Sequence, residues 1–100
     1  MKPYPLSLEP EAEADLLEAY GWYERQRSGL GVEFMECVED ALQVISRQPL
    51  HYAAGYRDVR QKLIQRFPYV VAFLVEQETV SVVAVFHGSR DPGAWRMRLK

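Results

Sequence analysis

The sequence has little of what marks exported, membrane-spanning or multidomain proteins. It contains a single cysteine, Cys37, so no disulfide can form within the chain. No apolar run approaches the ~20 residues that a transmembrane helix needs, and residues 1–5 lack the apolar segment of a signal peptide. Repeats, low-complexity tracts and long linkers are absent as well. We therefore expect one domain over residues 1–100, located in the cytoplasm and not in a membrane.

The charge is divided unevenly between the two halves of the chain. The net charge is −2, but residues 1–55 carry 4 Lys or Arg against 10 Asp or Glu, a balance of −6, whereas residues 56–100 carry 8 against 4, a balance of +4. Such a division is typical of a polar molecule with one cationic surface. An acidic helix surface beside a basic sheet edge, with no ligand at all, explains it equally well.

Two amphipathic helices are predicted in the first half. Pro10 stands at the first helical position, where no N–H is needed, and carboxylates follow in the early turns. Apolar residues then recur at three- and four-residue spacing at Ala12, Leu16, Ala19, Tyr20 and Tyr23. A second apolar face is formed by Phe34, Val38, Ala41, Leu42 and Ile45. Turn residues at 28–31 separate the helices and Pro49 ends the second, which predicts an antiparallel helical hairpin.

The rest of the chain is strand-like. Residues 4–8 and 56–63 alternate in polarity, residues 69–75 are continuously apolar, and residues 79–86 form a further strand. Alternation in this last strand predicts that one face carries Val80, Val82, Ala84 and Phe86. Strands joined by short connections pair antiparallel. The predicted fold is an α+β two-layer domain of order β-α-α-β-β-β, with the helical hairpin on one face of a curved antiparallel sheet and a short C-terminal helix or extension.

One face of this sheet is left uncovered in the prediction. The run over residues 69–75 is apolar on both sides, so the face opposite the helices cannot be wholly polar. We expect another polypeptide to cover it.

Residues suited to phosphate chemistry follow from the predicted topology. The last three strands are expected to bring Arg60, Arg66, His87 and Arg90 together at one end of the sheet. Metal-free RNA cleavage needs an acid, a base and cations that hold the phosphate, which these four residues could supply. Arg57 is a further cation that could bind a phosphate. No metal or cofactor is expected.

Plainer roles for the last residues stay open. His87 at a strand end could be structural, with its ring bonded to the following turn. Asp91 before Pro92 could be the N-cap of a short C-terminal helix. Trp95 could be a lid packed on the sheet, although Trp beside Arg is also typical of interfaces.

A series of short motifs runs through the whole chain in a fixed order. They are Ala14-Asp15-Leu16 with Tyr20 and Tyr23, then Pro49, Val59-Arg60, Phe67-Pro68-Tyr69, and His87…Arg90-Asp91-Pro92…Trp95…Arg98. In this order they resemble the RelE/ParE superfamily of bacterial type II toxin–antitoxin toxins, whose fold has the same β-α-α-β-β-β order. The ending is closer to the ParE-like, or plasmid-stabilisation, branch.

The resemblance implies a small cytoplasmic toxin whose antitoxin lies along its sheet and helices. ParE-like members act on DNA gyrase by protein contact, whereas RelE-like members enter the ribosome and cut mRNA. An isoelectric point near 5.7 favours the gyrase inhibitor, since a ribosome-entering nuclease gains from a positive potential. The mRNA endoribonuclease and a non-toxic binding domain stay open as alternatives, as do a homodimer and a heterotetramer with the antitoxin. Contacts with the target or partner are expected from Arg57, Arg60, Arg66, Tyr69, His87, Arg90, Trp95 and Arg98.

Overall fold

Two long helices lie on one face of a four-stranded sheet in the computed structural model of the protein, which describes residues 2–90 and 92–99. The elements are strand β1 (Leu6–Leu8), helices α1 (Pro10–Gln26) and α2 (Leu30–Arg47), strands β2 (Arg60–Leu63), β3 (Tyr69–Glu76) and β4 (Thr79–His87), and helix α3 (Gly93–Arg96). Two 3₁₀ turns, Pro49–His51 and Tyr56–Asp58, connect α2 to β2. The predicted α+β two-layer fold is confirmed. Within the described ranges no helix combines the length and the apolar character needed to cross a membrane.

The sheet is mixed, whereas the sequence predicted an antiparallel one. The strand order is β1-β4-β3-β2, and the last three strands form an antiparallel meander. The first strand instead runs parallel to β4, with Leu6 opposite Val80 and Leu8 opposite Val82. The pairing rule for short connections does not apply here, because both helices and two strands separate β1 from β4 along the chain.

The second strand is shorter than predicted. Alternation predicted a strand from Tyr56, but Arg57 and Asp58 have φ angles of 48° and 64° and lie in a 3₁₀ turn. Left-handed backbone cannot continue a strand, so β2 begins only at Arg60.

A β-bulge in β4 changes which side chains share a face. Phe73 is opposite Val82, but the preceding Ala72 is opposite Ala84, so Val83 is an extra residue on β4. The predicted alternation is therefore wrong beyond Val82. Val80, Val82 and Val85 face the helices, whereas Ala84 and Phe86 face the opposite side.

An aromatic cluster holds α1 over the end of the sheet where β3 begins and β4 ends. The ring centroid of Tyr23 lies 5.2 Å from that of Phe34, 4.9 Å from Phe67 and 6.0 Å from Tyr69. Aromatic rings at these distances attract one another beyond their burial of apolar area. The cluster thus fixes the second half of α1 beside Tyr69.

The C-terminal segment covers the centre of the sheet's other face, which we call the reverse face. Trp95 is 2% exposed and belongs to a core cluster with Val59, Ala72 and Ala84. The prediction that another polypeptide must cover this face is therefore wrong for its centre. Its rim includes Leu63 on β2, which is 63% exposed. Asp91, the predicted N-cap of α3, lies outside the described residues.

Candidate functional site

A cleft of about 610 Å³ opens between the second half of α1 and the end of the sheet formed by β3 and β4. Its wall combines cations, one carboxylate, an imidazole, a hydroxyl and aromatic rings. The lining residues are Glu18, Ala19, Trp22, Tyr23, Arg25, Tyr69, His87, Ser89 and Arg90.

His87 is held at the mouth of this cleft by its own turn. Nδ1 accepts a hydrogen bond from the Ser89 N–H at 3.1 Å and lies 2.8 Å from the Ser89 hydroxyl oxygen. The His87 ring also meets the Tyr69 ring edge-to-face, with centroids 5.4 Å apart. A backbone N–H can only donate, so the neutral ring carries its proton on Nε2. In this arrangement Nδ1 is engaged by Ser89 and Nε2 is the ring nitrogen left to face a ligand.

The two tyrosines at the floor of the cleft stay protonated. Burial raises the pKa of Tyr69, the positive charge of Arg90 opposes the rise, and Glu18 adds to it. Burial and then the neighbouring Tyr69 raise the pKa of Tyr23. Neither phenol is a base near neutral pH.

Arg90 reaches the same cleft through a tight turn. Its backbone N–H donates to the His87 carbonyl at 2.9 Å, and the Gly88 N–H donates to the Pro68 carbonyl at 2.7 Å. This turn follows β4 directly, at the level where Tyr69 is paired with His87. Three of the predicted site residues, Tyr69, His87 and Arg90, therefore share one cleft.

Arg66 lies elsewhere and already has a partner. It follows β2 at the same end of the sheet, but its guanidinium contacts the Glu33 carboxylate on α2 at 2.7 Å. Arg27 contacts the other oxygen of Glu33 at 3.3 Å. The hydrogen bond from Arg66 is the main reason why the pKa of Glu33 lies below its usual value.

Arg60 is away from the cleft, so the predicted convergence of four residues is wrong. Arg60 is opposite Phe73, whereas His87 is opposite Tyr69, four residues earlier on β3. Four residues of strand span about 13 Å. The Arg60 guanidinium donates instead to the Tyr52 carbonyl. Arg60 begins β2 whereas Arg66 follows its end, so the two arginines lie toward opposite ends of that strand.

The remaining predicted contact residues lie on the reverse face or near its edge. Trp95 stacks on Phe86, with centroids 5.7 Å apart, so its interpretation as a lid is confirmed. The guanidinium carbon of Arg57 is 5.7 Å from the centroid of the Tyr56 ring, on the exposed turn before β2. Arg98 pairs with Asp15 on α1 at 2.8 Å. Their proposed roles in binding stay predictions.

A stripe of three charged or aromatic cleft residues on α1 was not predicted as part of a site. Glu18, Trp22 and Arg25 stand at i, i+4 and i+7 on α1, so they form one stripe along the helix. Trp22 is 51% exposed, an unusual exposure for tryptophan. The spacing could have revealed the stripe. Its position beside β4 depends on how α1 packs on the sheet, which local spacing does not show.

The chain matches one family profile over most of its length. The profile described as ParE toxin of type II toxin-antitoxin system, parDE, covers residues 6–92. No curated protein sequence matches the chain.

Solved structures show the same fold at low sequence identity. The chromosomal ParDE toxin–antitoxin system from P. aeruginosa contains a chain that matches with a TM-score of 0.76 and 16% identity, over 84% of this chain and 95% of that one. The toxin–antitoxin complex RelBE2 from Mycobacterium tuberculosis matches with a TM-score of 0.57 and 22% identity, over 87% of this chain and 93% of that one.

Proposed function

Because the chain belongs to the ParE toxin family of type II toxin–antitoxin systems, we propose that it inhibits DNA gyrase by protein–protein contact and that a cognate antitoxin neutralises it. The proposal places its action in the cytoplasm. The cleft between α1 and the end of the sheet is the surface proposed to contact the target.

The dispersal of the candidate catalytic residues carries this proposal. Metal-free RNA cleavage needs several preorganised groups around one phosphate. Here Arg60 is bonded to the Tyr52 carbonyl and Arg66 to Glu33, while the Nδ1 of His87 is used by Ser89. A binding surface does not need these groups to converge, so the arrangement favours contact over catalysis.

The charge of the cleft's surroundings supports the same choice. Glu11 and Glu18 lie along α1 on the side that leads to the cleft, and the whole chain has a net charge of −2. A long RNA backbone would be repelled by these carboxylates. A protein partner with a few well-placed charges would not.

The assemblies that contain the similar structures support an antitoxin partner. Both solved relatives are described as toxin–antitoxin assemblies. On this chain β2 has no neighbour on its outer side in the described sheet, and Leu63 on that strand is exposed. We propose that the antitoxin covers this edge, since exposed edges readily accept another strand. A homodimer or a heterotetramer with the antitoxin fits this surface.

The test compares two target assays with the same purified chain. Gyrase holoenzyme is incubated with relaxed plasmid and ATP, and supercoiling is measured at increasing concentrations of the purified chain. In parallel, an mRNA is translated in a purified system and its cleavage is mapped. We expect loss of supercoiling and an intact mRNA. Intact supercoiling together with mRNA cuts that disappear in His87→Gln would instead establish the endoribonuclease.

A further inference from the structure

Most arginines of the described residues are already engaged within the chain. Arg27 and Arg66 share Glu33, and Arg98 pairs with Asp15. Arg60 donates to a carbonyl, and the guanidinium of Arg96 lies 4.4 Å from the centroid of the Tyr56 ring. Such contacts stabilise the fold and occupy the guanidinium groups.

Arg25 and Arg90, which both line the cleft beside α1, are not engaged in this way. Within residues 2–90 and 92–99, the guanidinium groups of Arg25 and Arg90 make no hydrogen bond or ion pair. Gly21 leaves room for Arg25, whose Nη1 would lie 3.3 Å from a Cβ at that position. Arg90 is placed in the same cleft by the turn that follows β4. The cleft therefore carries two cations that form no ion pair with a carboxylate of the described residues.

Apolar side chains line the same cleft. Trp22 is half exposed and packs edge-to-face against Tyr23, with ring centroids 5.1 Å apart. Ala19 and the half-buried Tyr69 continue the wall. Exposed Trp beside Arg is the composition of binding hot spots, where an apolar anchor and a charge are recognised together.

We infer that this cleft binds a protein segment that presents an acidic side chain next to an apolar one, with Arg25 and Arg90 contacting the carboxylate and Trp22 the apolar group. The inference rests on the proposed function in one respect, namely that the partner is a protein. Glu18 in the same wall disfavours a polyanion such as RNA or DNA, since it would repel a row of phosphates. A single carboxylate can be placed away from it.

The test uses defined peptides, so that it does not depend on the identity of the target. Binding of an alternating Glu–Leu hexapeptide is compared with that of a Gln–Leu hexapeptide by titration calorimetry up to millimolar concentration. We expect the acidic peptide to bind about tenfold more tightly, because charge complementarity gives specificity. Arg25→Gln and Arg90→Gln should each reduce this preference, and the double variant should remove it.

Three further variants separate charge from shape. Glu18→Gln should strengthen binding of the acidic peptide, because it removes a like charge from the wall. Trp22→Ala should weaken the binding of both peptides by the same factor. Arg47→Gln is the matched control, since Arg47 is an exposed arginine near the end of α2 and outside this cleft. Circular dichroism and thermal melts confirm that each variant is folded.

The outcomes separate this inference from the gyrase proposal. Equal affinity for the two peptides, or no binding of either, would overturn the inference. Tighter binding of a single-stranded oligonucleotide that is lost in the double arginine variant would overturn it in favour of a nucleic-acid surface. If the peptide preference holds while supercoiling is unaffected, the inference that the cleft binds an acidic segment is retained and gyrase is excluded as the target. If the double variant inhibits supercoiling as strongly as the wild type does, gyrase is retained as the target and the two cleft arginines are excluded from its recognition.

Discussion

Arg98 and Asp15 form a two-point ion pair that completes the edge of β4. The two terminal nitrogens of Arg98 each lie 2.8 Å from a different oxygen of Asp15. Asp15 also accepts the Val85 N–H at 2.9 Å, and Arg98 donates to the Val83 carbonyl at 3.0 Å. The ladder with β1 ends at Val82, so beyond that point these two side chains provide the hydrogen bonds that a neighbouring strand would provide.

Breaking this ion pair is expected to destabilise the fold. Asp15→Ala leaves the Val85 N–H without its acceptor and the Arg98 guanidinium without its counter-ion, so we expect a loss of about 2 kcal/mol in the free energy of unfolding. Asp15→Asn should lose less, because the amide oxygen can still accept from Val85. Urea unfolding of Asp15→Ala, Arg98→Ala and the double variant gives the coupling energy. A coupling energy near zero would show that the pair contributes nothing.

The ion pairs of Glu33 predict a dependence of stability on pH. The hydrogen bond from Arg66, helped by Arg27, holds the pKa of Glu33 below its usual value in the folded chain. Stability gained from a lowered pKa is present above the unfolded pKa of about 4.3 and is lost as pH falls through the folded pKa. Wild type should therefore be more stable than Glu33→Gln at pH 7, and the two melting temperatures should converge in acid. A difference that does not change with pH would contradict this.

Glu36→Gln is the control for this measurement. Glu36 is exposed on the same helix and makes no ion pair with the described residues. Its substitution is expected to leave the melting temperature unchanged at both pH values.

Gly31 is required where α1 and α2 approach each other. A Cβ at this position would lie 2.7 Å from Cγ of Glu24 and 2.7 Å from the Tyr20 carbonyl oxygen. Glu24 also accepts the Gly31 N–H at 2.8 Å, which ties the two helices together. Gly31→Ala should therefore lower the free energy of unfolding by about 2 kcal/mol through overpacking. Gly21→Ala is the matched control, because a Cβ there meets only the flexible end of Arg25, and it should stabilise α1 by about 0.5–1 kcal/mol. Thermal melts of the two variants should shift in opposite directions.

Trp95 is expected to stabilise the fold through the packing of its ring and not through a hydrogen bond from its N–H. The indole Nε1 is buried and has no hydrogen-bond partner among the described residues, whereas the ring stacks on Phe86. Trp95→Phe should be nearly neutral, and Trp95→Ala should destabilise by about 3–5 kcal/mol because it leaves a cavity on the reverse face. Chemical unfolding checks both values. A large loss in Trp95→Phe would show that the N–H has a partner.

The helices could be predicted because their signals are local. Spacing of three and four residues placed Leu16 and Val38 in the core, and Pro10 and Pro49 marked where the first helix begins and the second ends. The bulge at Val83 has no such signal. Apolar residues on both sides of the extra residue, Val82 and Ala84, make β4 look like an unbroken strand, and only pairing with β3 shows the skipped position. The parallel pairing of β1 likewise depends on contacts with residues far away in sequence.

The site could be predicted in part for the same reason. Tyr69, His87 and Arg90 share the cleft because β3 and β4 are joined by a short hairpin. Arg60 was misplaced because the register that sets it opposite Phe73, away from His87, depends on pairing between β2, β3 and β4 and not on local sequence. Trp22 and Arg25 were missed because neither local spacing nor charge tells which face of α1 lies beside β4.

The first strand of this protein to be synthesised pairs with the last one, so the sheet cannot be completed until late in translation. The first strand to leave the ribosome, Leu6–Leu8, pairs only with Val80–Val82, which are translated near the end. The ion pair of Asp15 forms later still, because its partner Arg98 is translated after β4. The helical hairpin can form early, but its sheet-facing side chains have nothing to pack on until then, so the nascent chain cannot reach its native fold before almost all of it has been made.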